Sequence, residues 1–130
     1  MINSETIEQI WDRAPKIADK DCNIWRHDPC GALIKRDDYG NRSSEFGWEI
    51  DHIVSKAYLL KAGASEDEID SIENLRAMHW ANNDSKGTNY PEYKVVKREE
   101  NGRNVNIEAF LTVNALRQKE LKRLFSRFGL

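Results

Sequence analysis

The stretch that most constrains this chain is residues 50–87, IDHIVSKAYLLKAGASEDEIDSIENLRAMHWANNDSKG. It sets Asp51 beside His52. Twenty-one residues then intervene before Asn74, eight before Asn83 and two before Lys86. An acid, an imidazole, a carboxamide and a cation in this order suit metal-assisted cleavage of a phosphodiester. Such a bond resists attack because its oxygens are negative and its leaving alkoxide is poor. A divalent cation answers both difficulties. A hard cation such as Mg²⁺ takes oxygen ligands and keeps several waters, so a few protein oxygens suffice. Asp51 offers a carboxylate and Asn83 a carbonyl oxygen. The attacking water needs a base, and histidine serves best near neutral pH.

Adjacent strand residues point to opposite faces. Asp51 and His52 can therefore share one site only where a strand ends or bends. The local pattern predicts a strand over residues 47–53 that ends at the site, partnered by Leu75 to Met78. A short helix is expected from Trp80 to Ser85, stopped by Gly87. Asn83 and Lys86 would share a face of that helix or of its frayed end.

This order and spacing resemble the motif of the HNH nuclease family, whose fold is called ββα-metal. The likeness covers residues 50–87 directly and, with its flanks, about residues 25–88. It implies a ββα-metal core, and the residue patterns of the flanks add an N-terminal helix and, over residues 91–130, a C-terminal hairpin plus helix, giving an α+β domain. It implies an endonuclease that hydrolyses DNA and leaves a 5′-phosphate and a 3′-hydroxyl. Asp51 and Asn83 would hold one divalent cation, Mg²⁺ or else Mn²⁺, and His52 would be the general base. Asn74 would complete the catalytic set structurally, tying a long loop to the strand end. Lys86 and Arg76 would hold the phosphate, and Glu49 would orient or supplement the metal site.

The chain departs from the family in one respect. Many members hold a structural zinc on two Cys-x-x-Cys pairs. This chain has only Cys22 and Cys30, and His79 and Asn82 stand where the second pair would fall. No structural zinc is expected, and aromatic packing from Trp48 and Trp80 is expected in its place. A mixed site of Cys30, His79 and His27 is the alternative.

With 130 residues, 39% hydrophobic and 32% charged, the chain suits one core in a single domain spanning residues 1–130. No apolar run is long enough to span a bilayer, and no leader pattern opens the chain. Two cysteines in such a chain read as reduced thiols, so a cytoplasmic protein with no membrane partner is expected. The net charge of −2 is awkward for a nucleic-acid enzyme, but it is unevenly spread. Residues 66–73 hold five acids and no base, and should face away from DNA. Residues 111–130 hold Arg117, Lys119, Lys122, Arg123 and Arg127 against Glu120 alone. Lys119, Lys122 and Arg123 are thus candidate DNA contacts. A non-catalytic adaptor on the same fold is the competing class. A nuclease directed at RNA, or a toxin-like effector met by an inhibitor, is the third.

The flanks are coarser. Ile7, Ile10, Trp11 and Ala14 recur at helical spacing, with Ser4 or Thr6 as caps and Pro15 as the stop. Residues 31–36 and 46–53 are expected to pair as a hairpin, and residues 55–62 and 65–72 to form short helices. Asn101-Gly102 is a strong hairpin signal that pairs Val96 with Ile107 and Arg98 with Val105. An apolar stripe from Phe110 through Val113, Leu116, Leu121, Leu124, Phe125 and Phe128 marks a terminal helix.

Overall fold

The structure, a computed structural model, describes residues 2–130. Helix α1 (Ser4–Arg13) opens the chain. Its cap is Asn3, whose side chain accepts from the Thr6 amide, so the helix starts one residue earlier than a Ser4 cap would allow and three earlier than a Thr6 cap would. Ile10 and Trp11 are the buried face. Strands β1 (Trp25–His27) and β2 (Leu33–Lys35) form a small antiparallel pair. Next come β3 (Trp48–His52) and β4 (Leu75–His79), antiparallel to each other, with α4 (Trp80–Lys86) following β4 directly. Helices α2 (Lys56–Lys61) and α3 (Glu66–Ile69) sit in the connection between β3 and β4. Strands β5 (Glu92–Glu100) and β6 (Arg103–Thr112) make a long hairpin, and α5 (Ala115–Leu124) ends the fold. This is a mixed α+β domain. Among the described residues no helix is long and apolar enough to cross a membrane.

The β3–β4 ribbon divides the core. On one face Trp48, Leu75 and Ala77 pack with Ile10, Trp11 and Ile34. On the other, Met78 joins Ile53, Leu59, Ile69, Tyr93, Val95, Leu121 and Phe125. The aromatic side is tight, with Trp11 and Trp48 ring centroids 5.5 Å apart and Tyr39 4.9 Å from Trp48. Gly47 is required just before β3, because a Cβ there would lie 1.9 Å from the Asn41 carbonyl oxygen. The loop that carries Arg42 is thereby pressed against the start of β3.

Three expectations are corrected here. Residues 31–36 do not pair with 46–53. The β2 ladder is taken by β1, and β3 finds a five-rung partner in β4, from Trp48 opposite His79 to His52 opposite Leu75. The terminal stripe is not one helix. Phe110 lies in β6 and is 67% exposed, and Leu116 is 70% exposed, which leaves Val113, before the helix, and Leu121 and Phe125 as the buried anchors of this end. The helix starts late because Asn114 caps it, accepting from the Arg117 amide. In the hairpin, Asn101 and Gly102 take the positive φ values, 53° and 81°, that a type I′ turn needs, and Arg98 pairs with Val105. A register shift between Val95 and Lys97 then dissolves the Val96–Ile107 rung and turns Val95 inward.

Aromatic packing is present at the β4–α4 junction, where Trp80 stacks on His79 with centroids 5.4 Å apart. The direct joint between this junction and the turn after β1 is a carboxylate. Asp28 is buried and accepts from the amides of Cys30 (2.8 Å), Ala32 (2.8 Å) and His79 (3.0 Å) and from Asn82 Nδ2 (3.1 Å). Asn82 extends the joint by accepting from the Val96 and Lys97 amides through its Oδ1. Burial pushes the Asp28 carboxyl up, against four hydrogen bonds that favour the charged form. Removing such an acceptor strands buried donors, each at about 1–3 kcal/mol. Asp28→Ala is therefore expected to cost more than about 3 kcal/mol. The urea midpoint measures this, and a shift within about 0.5 kcal/mol, as for an ordinary surface change, would contradict the assignment.

Candidate functional site

Strand alternation puts Glu49 and Asp51 on the face of β3 toward α4, and two rungs connect strand and helix. Asn83 Nδ2 donates to Glu49 Oε1 at 3.1 Å, and Lys86 Nζ lies 3.2 Å from Asp51 Oδ1. Residues two apart on the strand thus meet residues three apart on the helix, and the four sequence-predicted groups of this face meet as two neighbouring pairs. Asp51 also meets its cross-strand partner, with Arg76 Nε donating to Oδ2 at 2.8 Å. The Arg76 guanidinium carbon lies 5.2 Å from the centre of the Tyr93 ring.

Lys86 departs from its expected placement at a phosphate, and Arg76 commits its Nε to Asp51. Lys86 is fully buried, and its ammonium also donates to the His52 carbonyl at 3.2 Å. Burial pushes the Lys86 ammonium down in pKa, and the Asp51 charge opposes that. For Arg76, burial works against the charge, but Asp51 dominates and holds its pKa above the ordinary value. Both side chains brace Asp51 from inside the protein.

His52 is the last residue of β3, where the strand ends as the sequence requires of a shared site. Its Nε2 lies 2.8 Å from Asp70 Oδ1. Asp70 comes from the acidic stretch expected to face away from DNA, and its contact with His52 places it beside the candidate site instead. Burial opposes the Asp70 charge, but its partners, His52 among them, hold the carboxyl below its ordinary range. An ionised carboxylate only accepts, so Nε2 carries a proton, and in the neutral ring the lone pair is then on Nδ1. The His52 side chain is 20% exposed and that of Asp70 9%, so the pair sits at the edge of solvent.

Asn74 produces this arrangement. It is fully buried, accepts from the Val54 amide at 2.8 Å, and donates to the Val54 and Ile69 carbonyls at 3.1 Å each. One carboxamide therefore pins the residues just after His52 and the residue just before Asp70. This is the structural tie expected of Asn74, extended to a second anchor that the sequence did not suggest. No signal separates Asp70 from the solvated acids around it.

A second constellation flanks the first. Arg42 reaches Glu49 through Nε (2.6 Å) and Nη2 (2.9 Å), and Asp84 through Nη1 and Nη2 (2.9 Å each). Glu49 thus serves Asn83 and Arg42 together. Lys119, Lys122 and Arg123 are exposed on α5. His79, Cys30 and His27 do not converge. His79 Nε2 donates to the Glu45 carbonyl at 2.7 Å, Cys30 Sγ lies 3.9 Å from the Tyr93 hydroxyl, and His27 meets Glu99.

The donor chemistry fits a hard divalent cation in an open site. Asp51 and Asn83 supply oxygens only. The carboxylate has about four lone-pair positions, of which Arg76 and Lys86 use one each. Asn83 commits its amide nitrogen to Glu49, which orients its carbonyl oxygen away from that bond. Among the described residues no three His, Cys, Asp or Glu side chains form a closed cage. Two protein oxygens completed by waters is the arrangement Mg²⁺ favours. Comparison with family models, with curated proteins and with solved structures found no match to this chain.

Proposed function

We propose that this chain is a metal-dependent endonuclease of the HNH type, acting on DNA, with β3, β4 and α4 as its ββα-metal core. The observation that carries the reading is the His52–Asp70 pair at the end of β3, one residue from the oxygen site at Asp51. Asp70 holds the imidazole with its proton on Nε2, so Nδ1 points its lone pair at the attacking water and takes the proton. Asn74 fixes the backbone on both sides of this pair. Asp51 and Asn83 are the residues that would hold Mg²⁺ or Mn²⁺. When bound, the cation supplies charge neutralisation at the phosphate and at the departing 3′ oxygen. Arg76 and Lys86 hold the Asp51 carboxylate in place. The products would be a 5′-phosphate and a 3′-hydroxyl.

Arg76 and Lys86 also repel a second cation. Divalent binding to the free protein is therefore expected to be weak, and to strengthen when DNA brings its negative phosphates. The same pairs favour the competing reading, a non-catalytic nucleic-acid adaptor in which protein cations replace the metal at Asp51. The two separate in one experiment. The purified protein is incubated with supercoiled plasmid, and with single-stranded DNA and RNA, in Mg²⁺, Mn²⁺ or excess chelator. Nicking or cutting of DNA with either metal, and none in chelator, is the expected result. Full cleavage in chelator would refute the metal-assisted mechanism, and no cleavage of any nucleic acid would favour the adaptor.

A further inference from the structure

A cavity of about 310 Å³ lies between α1, β4 and the start of α5, with Arg76, the ion-pair partner of Asp51, in its wall. Its volume is at the low end of the roughly 300–1,000 Å³ range of small-molecule sites. Arg13, Arg76, Arg117 and Asn114 line it, along with apolar side chains that include Ile53 and Leu75. No acid is among the described residues that line it. Three arginines from three separate elements are thus gathered around one partly apolar space.

The gathering is costly. Burial pushes the Arg117 guanidinium down in pKa, and the charges of Arg13 and Arg76 push the same way, although Glu120 resists. Arg117 spends Nη1 on the Glu73 carbonyl at 2.9 Å. Arg76 spends Nε on Asp51, while its Nη2 is buried with no acceptor among the described residues. Guanidinium groups match phosphate oxygens with paired donors, and an anion arriving here would relieve the mutual repulsion. The apolar walls suit a sugar or a base better than they suit water. The position matters too, since Ile53 follows His52 and Arg76 holds Asp51.

We propose that this pocket binds a phosphate-bearing nucleotide unit of the substrate strand, next to the phosphodiester presented to His52. The substrate assignment rests on the nuclease reading, whereas occupancy by a nucleotide can be tested without it. The full chain carrying His52→Ala is titrated with deoxythymidine 5′-monophosphate and, separately, with inorganic phosphate. Arginine Nε signals and the Ile53 and Asn114 amides are followed by ¹H–¹⁵N spectroscopy. Saturable shifts at these groups are expected with the nucleotide, and at least tenfold weaker binding with phosphate alone. In the same background, Arg13→Gln with Arg117→Gln should weaken nucleotide binding at least tenfold. Lys56→Gln with Lys61→Gln, the same charge change on α2, should leave it unaltered. Equal binding of phosphate and nucleotide would make this a free-anion site and overturn the proposal, as would unchanged binding in the arginine variant. Nucleotide binding by a protein that cuts no plasmid would keep the pocket and remove the nuclease reading. Plasmid cleavage with no nucleotide binding would do the reverse.

Discussion

His52→Ala is expected to lower the DNA cleavage rate by about 10²–10⁴-fold, the usual worth of a positioned general base. The protein should stay folded, because the side chain is at the edge of solvent and its one partner described here, Asp70, is partly solvated too. Divalent binding in the presence of DNA should persist, since Asp51 and Asn83 are untouched. Asp70→Asn should also slow cleavage, for a different reason. A carboxamide can donate to Nε2 as readily as accept from it, so the Nε2–H tautomer loses its advantage. Long-range ¹H–¹⁵N spectra of His52 report the tautomer directly. If Asp70→Asn left both tautomer and rate at wild-type values, Asp70 would not position the base. Metal binding lost with His52→Ala would instead make His52 a ligand.

The second large effect is on stability. Asp51→Ala removes the partner of a fully buried ammonium and of an almost buried guanidinium. Breaking a buried ion pair from one side leaves an uncompensated charge and commonly costs about 3–5 kcal/mol. Lys86 can shed its proton to lessen that cost, which its depressed pKa already favours. Asp51→Ala with Lys86→Met should recover much of the loss, because no ammonium is then stranded. Urea denaturation of the two variants tests the pair. Equal destabilisation of the single and double variants would show that Lys86 contributes through its length and not its charge. Loss of metal binding in Asp51→Ala is interpretable only at denaturant-free conditions where the variant is shown to be folded.

The sequence was most legible where chemistry and local geometry coincide. Asp51 and His52 mark a strand end by being adjacent, Gly87 stops α4 with a φ of 54°, and Asn101-Gly102 closes the long hairpin. Asn74 alone reads as a turn residue, and its part as a loop tie comes only from the resemblance. Other features depend on partners distant in sequence. Asp28 lies in a turn signal, Asp-Pro-Cys-Gly, and nothing local shows that its second oxygen reaches His79 and Asn82 some 50 residues on. Lys86 resembles any solvated lysine until the fold places it opposite Asp51. Asp70 is masked by four acidic neighbours within residues 66–73. Residues 31–36 pair not with 46–53 but with the nearer segment Trp25–His27, whose three residues are too short a run to read as a strand from the sequence alone.

Because Asn74 grips Val54 and Ile69 with a single side chain, the chain between those grips is a closed loop on a fixed base. Leu59 and Ala64 anchor its interior, while Lys61, Ala62 and Gly63 stand exposed at its apex. Loop-closure entropy grows only logarithmically with length, by about 0.6 kcal/mol per doubling. Residues added at the apex would therefore lengthen an arm without shifting the imidazole at its root. The site thus has a natural point of graft, where new recognition elements could be acquired while His52 and Asp70 keep their positions.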